Sequence, residues 1–153
     1  MDEVSVRADD FDAGAEIAAL STGDDGTGAV ASFVGLVRRD GEVGAMTLEH
    51  YPGMTEQALA KIVAQAKDRW QLRRVRVVHR VGRLLPGANI VFVGVASGHR
   101  GDAFAACEFI MDYLKTRAPF WKKEETPEGA RWVDARETDD RAALRWQDGE
   151  RAG

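Results

Sequence analysis

The sequence predicts an α+β fold of mostly antiparallel strand pairs with two main packed helices. Three observations carry that prediction. Strand-like runs come in pairs separated by turn signals, as in "GAVASFVGLVR" and "AMTLEHY" around Asp40-Gly41. Two longer segments, from about Thr55 to Trp70 and from near Asp102 to Lys115, repeat apolar residues at helical spacing. Strands do not alternate singly with helices, which disfavours a doubly wound parallel sheet.

The elements follow in order. "VSVRA" reads as a short edge strand, and Asp12 to Leu20 as a short helix. "STGDDGTG", Ser21 to Gly28, is a polar, glycine-rich linker. Gly28 to Arg38 is rich in valine and small residues, so a buried strand is expected there. Met46 and Leu48 alternate with Thr47 and Glu49, which makes a second strand, expected to pair with the first as a hairpin. Pro52-Gly53 ends it, and Thr55 is placed to cap the first long helix, whose apolar face is Leu59, Ile62, Val63, Ala66 and Trp70. "RRVRVVHRVG" and "NIVFVGVAS" are further strands, split by a turn at Pro86-Gly87. The second long helix takes Phe104, Cys107, Ile110, Met111 and Leu114 as its apolar face. Short strands are expected at Phe120 to Lys123 and Arg131 to Ala135, then a polar helix from Asp139 to Trp146.

The bulk numbers narrow the function classes. A chain of 153 residues has the size of one domain, and residues 1–153 are read as a single one. No apolar run is long enough to span a bilayer, and "MDEVSVRADD" lacks the apolar stretch of a signal peptide. One cysteine, Cys107, excludes an intrachain disulfide and a cysteine-based metal cluster, and a reducing, cytoplasmic setting fits. A net charge of −4 argues against general nucleic-acid binding. Cationic clusters therefore point to local anionic ligands.

Three clusters stand out. His99 and Arg100 in "SGHRGDAF" precede a helix, where free N–H groups and the helix dipole favour an anion. A polar loop capped by Asp102 is the plainer reading. Arg38 and Arg39 end a strand, where arginine can clamp an anion in bidentate fashion or simply be solvated. "LKTRAPFWKKEE", Leu114 to Glu125, sets lysines on both sides of a Pro-aromatic turn. Lysine among apolar groups can become a proton carrier or nucleophile, whereas lysine at a helix end more often just complements the dipole. Cys107 falls on an apolar helix face and reads as core. His50 and His79 lie in strands without a second ligand at metal spacing. His99-Arg100 and Lys115 open and close one helix, roughly 20 Å apart. A single site using both ends would draw on two subunits.

Taken together, "FVGLVR", "LEHYPGMTEQAL", "VVHRVGRLLPG", "SGHRGDAFAAC", "MDYLKTRAPFWKKE" and "GARWVDARE" resemble the MoaE family, the large, catalytic subunits of molybdopterin synthase. The resemblance runs from about Gly28 to Trp146. It implies an α/β-hammerhead-like fold and a sulfurtransferase that turns cyclic pyranopterin monophosphate (precursor Z) into molybdopterin, in molybdenum cofactor biosynthesis. Sulfur would come from the C-terminal thiocarboxylate of a small ubiquitin-like carrier (MoaD-like). A homodimer carrying two carriers, a heterotetramer, is implied, with no cofactor, metal, nucleic acid or membrane. The lack of a credible sulfur-carrying cysteine agrees with an external donor.

The resemblance makes Lys115 and Lys122 catalytic. It assigns substrate contacts to Leu36, Val37, Arg38, His99, Arg100, Lys115, Lys122, Lys123, Glu124 and Arg136. The chain departs from the family at Leu36, where many relatives carry lysine, and in the short turn "RRDGEVG". Two other readings compete. A non-catalytic dimeric module binding a phosphorylated small molecule and a partner protein would need no reactive lysine. An RNA-binding α+β domain fits the aromatic and arginine residues but sits badly with the acidic balance.

Overall fold

The computed structural model describes residues 2–133, 141–144 and 146–147. Its elements run β1 (Val4–Arg7), α1 (Ala13–Ser21), β2 (Ala29–Leu36), β3 (Ala45–His50), α2 (Met54–Arg69), β4 (Leu72–Arg80), β5 (Gly82–Leu84), β6 (Asn89–Ser97), α3 (Arg100–Arg117), β7 (Phe120–Thr126) and β8 (Gly129–Val133). Residues 141–144 and 146–147 are also helical. The strands form two four-stranded sheets, ordered β1-β4-β6-β2 and β5-β3-β7-β8. All pairs are antiparallel except β1 with β4. The fold is therefore α+β, as the strand pairing implies.

The first sheet is covered on both faces, which explains why β6 is apolar and buried along most of its length. On one side α2 and α3 pack Leu59, Ile62, Val63, Ala106, Phe109 and Ile110 against Val75, Val77, Val93 and Val95. On the other, Leu20 of α1 joins Phe11, Val78, Phe92 and Ala96. The second sheet has a smaller core of Val37, Met46, Leu48 and Leu84.

The expected β2–β3 hairpin does not form. β2 pairs with β6 over its whole length, from Ala29 opposite Ser97 to Leu36 opposite Asn89. β3 belongs to the other sheet, between β5 and β7. A hairpin needs a short loop that keeps its strands adjacent. Here Val37 is pulled aside instead: its N–H donates to the Ala88 carbonyl at 2.8 Å, and its own carbonyl accepts from Gly87 at 2.7 Å. The chain then crosses between sheets. β2 is also less buried than expected, with Ala31 alone fully buried, because it forms a sheet edge.

Other local expectations shift as well. "RRVRVVHRVG" is not one strand: β4 stops at Arg80, and Gly82, at φ +92°, turns the chain into β5 of the second sheet. Gly53, at φ +85°, stands at the N-terminus of α2, and its N–H donates to Glu56 Oε1 at 3.2 Å. Thr55 lies within the first turn, fully buried, and does not cap the helix. α3 begins at Arg100, with His99 before it and Asp102 in its first turn. Phe104 is 66% exposed although it shares helical spacing with buried Cys107 and Met111; it lies at the edge of the face, whose centre is Ala103, Ala106, Cys107, Ile110 and Leu114. Cys107 is in the core as expected. β8 ends at Val133. Ala135 of the expected last strand and Asp139 at the expected helix start lie outside the described residues.

Candidate active site

A cleft of about 590 Å³ opens where the two sheets meet the C-terminal end of α3. Each wall comes from a different element. The end of β2 and the residues after it supply Leu36, Val37 and Arg38; α3 supplies Leu114 and Lys115; β7 supplies Phe120, Lys122 and Glu124; β4 supplies His79. Met46 and Leu48 of β3 give it an apolar side.

The lysines reach this cleft by way of the turn between them. α3 ends at Arg117, and Pro119 cannot continue it. The Phe120 N–H donates back to the Ala118 carbonyl at 2.9 Å, so the reversal is tight. Thr55 ties the turn down. Its hydroxyl donates to the Pro119 carbonyl at 3.0 Å and accepts from the Tyr51 N–H at 2.9 Å. A buried hydroxyl satisfied in both roles is a firm anchor.

From there strand alternation selects the side chains. Phe120, Lys122 and Glu124 face the cleft, while Trp121, Lys123 and Glu125 take the other face. Lys123 instead lies 5.2 Å from the Trp132 ring centroid. Glu124 is buried, with Lys122 Nζ at 3.8 Å and Arg131 Nη2 at 3.9 Å. The carboxylate thus gives Lys122 a fixed anionic neighbour. Arg38 and Lys115 are exposed side chains on the cleft lining. With Lys122, these cations can gather a small polyanion.

The cleft gathers Leu36, Val37, Arg38, Lys115, Lys122 and Glu124. It does not gather Lys123, nor His99 and Arg100, which are exposed at the opposite end of α3. Arg136 lies outside the described residues. Leu36 is 53% exposed, so an apolar side chain stands at the rim.

Two residues at this site were not legible as such in the sequence. His79 looked like any strand histidine, and Thr55 like a helix cap. His79 is 5% exposed and stacks on Phe120, with ring centroids 3.8 Å apart. Burial pushes its pKa down to about 4, with Lys115 and His50 adding smaller effects in the same direction. Their signal is long-range: each contacts a residue far away in sequence. Cys107 is set apart from the cleft chemistry, because burial pushes its thiol up to about 12.

Known proteins share both sequence and shape with this chain. The family model described as "MoaE protein" matches residues 6–117. A molybdopterin synthase catalytic subunit of Ralstonia nicotianae is 64% identical over 149 residues, covering 95% of this chain and 85% of that protein. One from Pseudomonas aeruginosa is 60% identical over 148 residues, covering 95% and 99%. The structure of a molybdopterin biosynthesis MoaE protein from Burkholderia ambifaria superposes with a TM-score of 0.83, at 60% identity, covering 96% of this chain and 99% of that one. The chain belongs to the MoaE family, a family of enzymes that includes these molybdopterin synthase catalytic subunits.

Proposed function

We propose that this chain converts cyclic pyranopterin monophosphate to molybdopterin, with sulfur from the C-terminal thiocarboxylate of a small ubiquitin-like carrier. Residues 1–153 would act as one domain, in the cytoplasm, as a homodimer holding two carriers. The observation that carries this reading is the meeting of Arg38, Lys115 and Lys122 in one cleft of a MoaE-family chain. Among the described residues, no helix is long and apolar enough to cross a membrane.

The chemistry needs what the cleft offers. The substrate is a phosphorylated pterin and the donor an anionic thiocarboxylate, so binding must offset negative charge twice. Arg38 at the rim suits the phosphate, through paired N–H donors. Lys122, steadied by Glu124, holds negative charge further in. Each transfer forms a C–S bond at a substrate carbon as a C–O bond there breaks, the oxygen leaving as water or on the phosphate, and hydrolysis then breaks the carrier's acyl C–S bond. The carrier leaves as a carboxylate, with its new oxygen from water. Negative charge develops at the acyl oxygen, and Lys115 is the group to stabilise it or to move the proton. The apolar wall of Met46, Leu48 and Leu114 suits the pterin ring.

The test is a reconstituted assay with thiocarboxylated carrier and cyclic pyranopterin monophosphate. Dithiolene product from wild type, and loss of about 10²-fold or more in Lys115→Ala, is expected. Unimpaired turnover in Lys115→Ala would sink the assignment of that residue. No product from a folded wild type with competent carrier would favour the binding-module reading instead.

A further inference from the structure

The floor of the cleft holds a group that this chemistry leaves unused. His79 lies in β4 of the first sheet, and Phe120 opens β7 of the second. Their rings stack at 3.8 Å between centroids and 18° between planes. His79 Nδ1 is 2.8 Å from the Arg80 carbonyl oxygen, which can only accept. Nδ1 therefore carries the proton, and the bond fixes the rotation of the ring. Phe120 is then held twice. Thr55 grips the carbonyl of the preceding Pro119, and His79 grips the aromatic ring.

We propose that His79 is a positioning residue, which by stacking on Phe120 fixes the start of β7 and so the placement of Lys122 relative to Lys115. The proposal rests on the sulfur-transfer reading above. Phe120 is the junction between the helix-end lysine and the strand lysine, and His79 is its stacking partner in the other sheet. A flat ring suits a narrow gap between sheets. The charges around it come from Lys115 on α3 and His50 on β3, with the backbone of Arg80 on β4 itself. A cationic imidazole there would repel Lys115, so the stack works with a neutral ring. Small errors in the placement of reacting groups are costly, on the order of 10²-fold in rate for about 1 Å.

His79→Ala and His79→Phe are to be compared with wild type in the carrier-dependent assay, with rates normalised to folded protein by near-ultraviolet circular dichroism. His79→Ala is expected to lose about tenfold or more in kcat, while KM for the pterin stays within about threefold, because Arg38 is untouched. His79→Phe, which keeps a stacking ring and no charge, is expected to recover most of the loss. Normal kcat per folded molecule in His79→Ala would overturn the proposal. So would a loss that phenylalanine fails to rescue, since ring nitrogen rather than stacking would then matter. A crystal structure of His79→Ala separates this proposal from the reading beneath it. Should wild type make no product, displacement of Phe120 and Lys122 still supports the positioning role, and an unmoved β7 overturns it.

Discussion

His79 and Cys107 are both buried titratable side chains, and burial acts on them in opposite directions. Each loses its charged form: the imidazole stays neutral down to about pH 4, and the thiol stays protonated up to about pH 12. For His79 the consequence is a pH-dependent stability. Between about 4 and the ordinary value of 6.5 the unfolded chain binds the extra proton, so stability rises with pH. The contribution is complete above about pH 6.5 and is lost as pH falls toward 4, amounting to about 3 kcal/mol. Urea denaturation from pH 7 to pH 4 should show this loss in wild type and a flatter curve in His79→Phe. For Cys107 the consequence is chemical silence. Iodoacetamide at pH 8 should leave the folded protein unmodified, and Cys107→Ala should transfer sulfur within about twofold of the wild-type rate. Rapid alkylation of the native thiol would contradict its placement under Val93, whose carbonyl is 3.7 Å from Sγ.

At the scale of elements, what could be read depended on whether a signal was local. Helix positions came from apolar spacing, and the Pro-aromatic turn from its composition. Which strands pair was not readable, because β2 satisfies the valine-rich edge of β6 as well as it could have satisfied β3. The difference was set by Val37 bonding to the Gly87–Ala88 turn, fifty residues away in sequence. Strand period, by contrast, could have separated Lys122 from Lys123 from the sequence alone, since neighbours on a strand face opposite ways. Phe104, however, keeps helical spacing with Cys107 and Met111, so its exposure was not readable from the apolar pattern of α3. One tertiary contact was out of reach. Trp146 packs edge-on against Trp70 and Phe109, and its indole N–H donates to Asp112 Oδ2 at 2.5 Å. The Arg69 guanidinium lies 5.5 Å from its ring centroid. Trp146→Ala should therefore cost about 2–3 kcal/mol, measured by denaturant midpoint at pH 7.5. An unchanged midpoint would mean that this contact contributes little to the fold.

For the whole molecule, the open question in the sequence was how a helix could serve one site with both ends. Within one chain it does not: the cleft takes Lys115, and Arg100 stands at the far end of α3, roughly 20 Å away. If His99 and Arg100 also act on the substrate, a second copy supplies them. Mixing experiments test this directly. Lys115→Ala and Arg100→Ala proteins, each inactive alone, should after subunit exchange regain about a quarter of wild-type activity, since half the dimers would then hold one intact shared site. No recovery, with exchange shown by mass, would place all working residues in one chain. The seven-residue step from Lys115 to Lys122 bears on a different matter, that of change over generations. Helix end, proline turn and strand alternation together make this span a ruler rather than a linker. Substituting Thr116 or Ala118 leaves the ruler intact. Inserting or deleting a single residue after the turn would bring the wrong neighbour to the cleft, an aromatic ring or the other lysine, and tear Phe120 from His79. Descendants of this chain are thus freer to vary the letters between its fixed points than to change their number.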